Sequence, residues 1–125
     1  MSEEYHKISI EEIEEGISKF TAVSLELENA MLVFFNSKGQ NRLGTLAVAL
    51  PRIKDAREIM SSVLLGSKHA IIAKVFATHL AKAFNKITLI SINLENLDEK
   101  ELGSVLSKLT KRIIERRKQV EDKNQ

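Results

Sequence analysis

The sequence holds no cysteine and no tryptophan, a single proline (Pro51), a single tyrosine (Tyr5), and only 5% aromatic residues among its 125. Without cysteine there is no disulfide and no thiolate chemistry, which fits a cytosolic setting. So few aromatics leave no series of stacking platforms for single-stranded nucleic acid. No apolar run reaches the roughly 20 residues of a membrane span. The opening MSEEYHKISIEEIEE is acidic where a secretory leader would be apolar. The expectation is a soluble, cytoplasmic protein without membrane association. Repeats, linkers and low-complexity blocks are absent from the sequence, so it reads as a single domain over 1–125, large enough for a real core.

Net charge is only +2, yet the charges are sorted. Glu3, Glu4, Glu11, Glu12, Glu14 and Glu15 crowd the first fifteen residues, and Lys111, Arg112, Arg116, Arg117 and Lys118 lie close to the other end. Such a division can steer a partner of complementary charge, or be plain solvated surface.

The first half alternates like strands. Residues 5–13 place Ile8 and Ile10 on one face. In 19–28, Val23, Leu25 and Leu27 are expected to face the core, with Ser24, Glu26 and Glu28 facing water. The run AMLVFFN, 30–36, fits a central strand covered on both faces. The polar stretch Asn36–Asn41 reads as a hairpin loop. In LGTLAVAL, 43–50, Leu46, Val48 and Leu50 form a bulky face and Thr45, Ala47 and Ala49 a small one, as if a helix came close. Pro51 stops that strand, and a fifth is expected over 58–65. A helical stripe of Ile72, Val75, Phe76, Leu80, Ala83 and Phe84 follows, with Asn85 as its stop. KITLISINL, 86–94, is strand-like. Asp98 with Glu101 forms a capping box, and Leu97 with Leu102 a hydrophobic staple, ahead of the stripe Leu102, Val105, Leu106, Leu109 and Ile113. The fold class is α+β: a mainly antiparallel sheet of about six strands with two amphipathic helices, in the order βββββαβα.

The sequence holds no recognisable catalytic constellation. Gly66-Ser67-Lys68 lies between a strand and a helix, where a phosphate loop would sit. That loop needs a glycine five positions before its Gly-Lys element, and Ser61 stands there. Gly66 therefore reads as a turn and Ser67 as a helix cap. His69 and His79 are ten apart, which turns them to different faces of one helix, whereas a zinc helix wants a spacing of four. No serine or threonine nucleophile has a recognisable setting, and no acid–base pair stands out. No cofactor is expected and no catalytic residue is assigned; the expectation is a protein that is not an enzyme. In the basic C-terminal run, Glu115, Glu121 and Asp122 interrupt the positive field and weaken it for phosphates.

Taken together, Leu43-Gly44-Thr45-Leu46, the charged loop after Pro51, Leu64-Leu65-Gly66, LAKAFNK and ITLISINL resemble the small proteasome assembly chaperones, types three and four, over roughly 30–114. The resemblance implies a non-enzymatic chaperone. It would form a homodimer, or a heterodimer with a paralogous chaperone, bind α-type proteasome subunits and promote α-ring assembly. Related larger chaperones dock a hydrophobic-Tyr-X tail in the α-ring. The sequence closes Asp122-Lys123-Asn124-Gln125, without that pattern, so binding through surfaces is expected. One candidate surface is the loop that follows Pro51. Arg52, Lys54 and Arg57 surround Ile53 in it, an apolar anchor ringed by cations. Pro51, Arg52, Ile53, Lys54 and Arg57 are the expected partner-binding residues, although Ile53 could equally be tucked into the core. The apolar surplus of AMLVFF suggests a dimer. A profilin-like or roadblock-like scaffold for another complex is the alternative, followed by a basic nucleic-acid-binding dimer.

Overall fold

The chain alternates between two periods, and the elements fall where the periods change. The computed structural model describes residues 7–52 and 59–123. Strands β1 (Lys7–Glu15), β2 (Ser18–Glu26), β3 (Ala30–Ser37), β4 (Thr45–Ala49) and β5 (Ser61–Leu65) come first. Helix α1 (Ala70–Phe84), strand β6 (Ile87–Asn93) and helix α2 (Glu99–Lys123) follow. This is the α+β fold and the element order expected from the sequence. The six strands make one sheet in the spatial order β1-β2-β3-β6-β4-β5. Neighbours are antiparallel except β3 and β6, which run parallel.

That order corrects one expectation. Asn36–Asn41 is not a hairpin loop, because β6 enters the sheet between β3 and β4. Pattern shows that two strands are consecutive, not that a later strand will separate them. The connection instead crosses the end of β6 at close range. A Cβ at Gly44 would stand 1.9 Å from the carbonyl oxygen of Ile92, so only glycine fits. Amides fasten the crossing. Asn93 Nδ2 donates to Asn36 Oδ1 at 2.7 Å and to Gln40 Oε1 at 3.0 Å, and the backbone N–H of Arg42 donates to Asn36 Oδ1 at 3.2 Å.

Both helices cover the same face of the sheet. The small face of β4 does admit a helix closely. Ala47 and Ala49 are fully buried, as are Ala73, Ala77 and Ala81 of α1. The stripe expected on α1 is therefore rotated. The helix meets the sheet through Ala73, Ala77, Leu80 and Ala81, while Ile72, Phe76 and Phe84 flank the contact half-buried, and Val75 and Ala83 are exposed. Small side chains set the distance of closest approach, and the bulky ones fill the flanks. On α2 the expected stripe of Leu102, Val105, Leu106, Leu109 and Ile113 is buried throughout, each large side chain contributing about 1.5–3 kcal/mol.

The helix ends follow their local signals with one exception. The N–H of Glu101 donates to Asp98 Oδ1 at 2.7 Å and the N–H of Asp98 to Glu101 Oε1 at 3.1 Å, which is the capping box. Leu97 and Leu102 pack into one core cluster. Asn85 ends α1 at φ 54°, its N–H donating to the Ala81 carbonyl at 2.8 Å. Gly66 turns the chain at φ 85°. Ser67, however, is not the cap of α1. His69 holds that position in the left-handed region and makes no side-chain capping bond. Gly66 and His69 both take positive φ, which spends an extra residue or two on the turn and carries the helix start past the reach of Ser67.

Candidate functional site: the uncovered face of the sheet

Strand β2 decides which side of the sheet is which. Its helix-side residues are Phe20, Ala22, Ser24 and Glu26, all buried. Val23 and Leu25 point the other way and Leu27 is exposed, the reverse of the expected orientation. The bulkier parity of β2 faces away from the helices, so a rule that sends the more apolar set inward selects the wrong face.

Register extends this across the molecule. Ile10, Val23, Phe34, Ser91, Leu46 and Leu65 stand side by side as one row over six strands. Ile8, Leu25, Leu32, Leu89, Val48 and Ser62 form the adjacent row. Ser91 is buried, its hydroxyl accepting from the N–H of Gly44 at 2.8 Å. The remaining members, apart from Ser62 at the edge, are large and apolar. Ile8 and Ile10 are 60% exposed, and the central residues are half-buried, with Arg42 and Leu43 of the connection after β3 beside Val23 and Phe34. The helices lie on the opposite side, and among the described residues no helix or strand covers this one; the connection after β3 caps only the end that holds Asn36 and Asn93. Six strands make a face roughly 24 Å wide, and two rows with their flanks run roughly 17 Å along it, about 400 Å² in projection. This lies within the size of the largest apolar patch on a typical monomer, which is often functional. Thr21, Asn36 and Asn93 border the rows on one side, with Glu12 paired to Lys38 at 3.1 Å. An apolar centre with a polar rim is the usual anatomy of a protein–protein interface.

The sorted charges meet each other on the helix side. Glu11 of β1 lies 2.6 Å from Arg116 Nε of α2, Glu15 lies 2.8 Å from Lys108, and Arg112 donates to the Glu12 carbonyl at 2.7 Å. Buried Glu26 takes Lys86 Nζ at 2.6 Å and Arg117 at 2.9 Å, and the Arg117 guanidinium also stands over the Phe84 ring at 5.5 Å. Much of the basic run is thus spent on the protein's own acidic strand. A cavity of about 240 Å³ opens under this end of α2, lined by Ile8, Met31, Phe84, Ile113 and Val120 with Glu26, Arg116 and Arg117. Its charged groups are already paired, which leaves it an apolar space.

The structure disperses the other candidates. His69 is half-buried at the start of α1 and His79 is exposed on its surface; among the described residues no three acidic or histidine side chains converge as a metal site would require. Of the expected partner-binding residues, Pro51 is half-buried and Arg52 exposed at the exit from β4. Ile53, Lys54 and Arg57 lie outside the described residues, as does His6. No described helix is long and apolar enough to cross a membrane. The open sheet face was signalled in part by AMLVFF; the full signal is the pair of apolar parities on β2 and β3.

No protein-family model matches the sequence, and no curated protein does either. Solved structures do match. One is a chain from a chaperone complex for yeast 20S proteasome assembly, with a TM-score of 0.69, 15% identity, and coverage of 92% of this chain and 97% of that one. The fold resembles that of a proteasome assembly chaperone. At this identity the likeness is one of fold.

Proposed function

We propose that the protein is a non-enzymatic assembly chaperone that dimerises through its open sheet face and binds α-type proteasome subunits during α-ring assembly. The observation that carries this reading is the pair of apolar rows left uncovered on a fold similar to a chain of a proteasome assembly complex. Stable dimers bury about 800 Å² from each partner. The two rows and their flanks offer about half of that in projection, and exposed Leu43 and Leu64 with the polar rim would contribute to the rest. The partner copy is identical or a paralogous chaperone, and its sheet stacks on this one about 10 Å away. The loop bearing Pro51, Arg52, Ile53, Lys54 and Arg57 remains a proposed contact with the α-subunit. A cytoplasmic, cofactor-free protein fits this role. The internal pairing of Arg112, Arg116 and Arg117 favours a protein partner over nucleic acid.

Size-exclusion chromatography with light scattering tests the dimer. The expected mass is twice the 14.1 kDa of the chain, and Leu25→Glu with Phe34→Glu brings it to one. A mass of one chain at every concentration defeats homodimerisation, and co-expression with a paralogue then tests the heterodimer. Co-purification with an α-type subunit tests the partner. Arg52→Glu with Lys54→Glu is expected to weaken that complex while leaving the dimer intact. A dimer that captures no α-type subunit above micromolar concentration overturns the chaperone reading and leaves a scaffold of the profilin-like or roadblock-like kind.

A further inference from the structure

With the sheet face assigned to a dimer, the helix layer points outward, and it is not closed. A groove of about 470 Å³ runs between α1 and α2. Its floor is Val75, Phe76 and Ile114, and Val75 is 56% exposed. Ile71, 81% exposed, extends the apolar line along α1. Thr110, a residue 2% exposed, lines the groove, and its buried hydroxyl has no hydrogen-bond partner among the described residues. Buried hydroxyls are nearly always satisfied.

The charge beside this floor is mostly positive. Helix α1 lines the groove with Val75, Phe76 and His79 and has no acidic residue, Lys74 and Lys82 lying outside the groove. Across the groove stand Lys111 and Lys118, with Glu115 as the carboxylate of that wall. Among the described residues none of these four lysines has a carboxylate within ion-pair distance, whereas Lys108, Arg116 and Arg117 of the same helix α2 do. The cations of α2 turned toward β1 are neutralised, and Lys111 and Lys118, which line the groove, are not.

We propose that the α1–α2 groove docks an amphipathic helix of a partner protein whose apolar stripe is flanked by carboxylates. The wall from Ser107 to Lys118 spans about 16 Å, three turns of such a helix. An apolar floor beside a wall with two unpaired lysines favours this occupant over a phosphate backbone, which has no apolar stripe to bury. The inference stands apart from the dimer, since it uses the opposite side of the molecule.

The test uses the full chain and two synthetic 20-residue helical peptides with the same leucine stripe, one flanked by glutamates and the other by lysines. Fluorescence polarisation is expected to show saturable binding of the glutamate peptide and at least tenfold weaker binding of the lysine peptide. Methyl shifts should centre on Val75 and Ile114. Lys111→Glu with Lys118→Glu should weaken binding at least tenfold at an unchanged melting temperature. Leu25→Glu with Phe34→Glu, which breaks the proposed dimer, should leave it unchanged, so the two readings fail separately. Equal affinity for both peptides, shifts centred on the sheet face, or tighter binding of a 20-base DNA in the same groove would each overturn the proposal.

Discussion

The hydroxyl of Thr45 donates to the carbonyl oxygen of Lys68 at 2.5 Å, and a Cβ on Gly66 would stand 2.8 Å from that same hydroxyl. The start of β4 and the turn into α1 are therefore one packed unit. The two short motifs Leu43-Gly44-Thr45-Leu46 and Leu64-Leu65-Gly66 meet there. Thr45→Val keeps the shape and removes the bond. The expected cost is about 1 kcal/mol, or roughly 4 °C in Tm, checked by thermal unfolding. An unchanged Tm would mean that the bond is replaced by water.

Gly44→Ala is expected to be far more damaging. Its new methyl group meets backbone, the Ile92 carbonyl oxygen at 1.9 Å, and backbone cannot rotate aside as a side chain does. The loss should be about 3 kcal/mol or more. Denaturant titration of the variant would show a lower midpoint at the same slope if the fold survives.

Glu26 and Glu15 separate buried from exposed pairing. Glu26→Ala leaves Lys86 and Arg117 facing a vacated, largely buried site, and should destabilise by about 3 kcal/mol. Lys108→Ala, which removes an exposed partner from Glu15, should cost about 0.5 kcal/mol or less. Added salt should shrink the second effect and barely alter the first. Urea titrations at low and high salt measure all four values.

Asp98→Ala removes the acceptor for the Glu101 N–H. The expected loss is about 1 kcal/mol. Because α2 anchors β1 through Glu11 and Glu15, hydrogen exchange should quicken in β1 as well as in the first turn of α2. Exchange confined to α2 would show that the helix start and the edge strand open independently.

Element type and order were readable because each signal is local. The capping box at Asp98 and the left-handed stop at Asn85 are fixed by a few adjacent residues, and both stand as expected. Non-local facts were not readable. The insertion of β6 between β3 and β4 depends on the whole sheet, and the alternation within β3 or β4 is the same whichever strand lies beside them. The reversed face of β2 has a different cause. Alternation identifies the more apolar side of a strand, and the core was assumed to claim it. Here Val23 and Leu25 are left outside while Ser24 and Glu26 are enclosed beneath α2. The same feature that misdirects the assignment marks the candidate site. The cation pattern of the groove was equally hidden, because Lys111 and Arg112 are adjacent in sequence and face opposite duties.

The position of β6 has a consequence for how the protein is made. Until residues 87–93 leave the ribosome, the β1–β2–β3 meander and the β4–β5 pair share no strand, and neither can join the other. At about 5–20 residues per second, the nascent chain spends several seconds as two unjoined pieces, each with apolar side chains on both faces. Strand β6, at the centre of the sheet, is the last of the six described strands to be synthesised. A protein proposed to assist assembly thus completes its own sheet late, in one step, and is itself a client for shielding until that strand arrives.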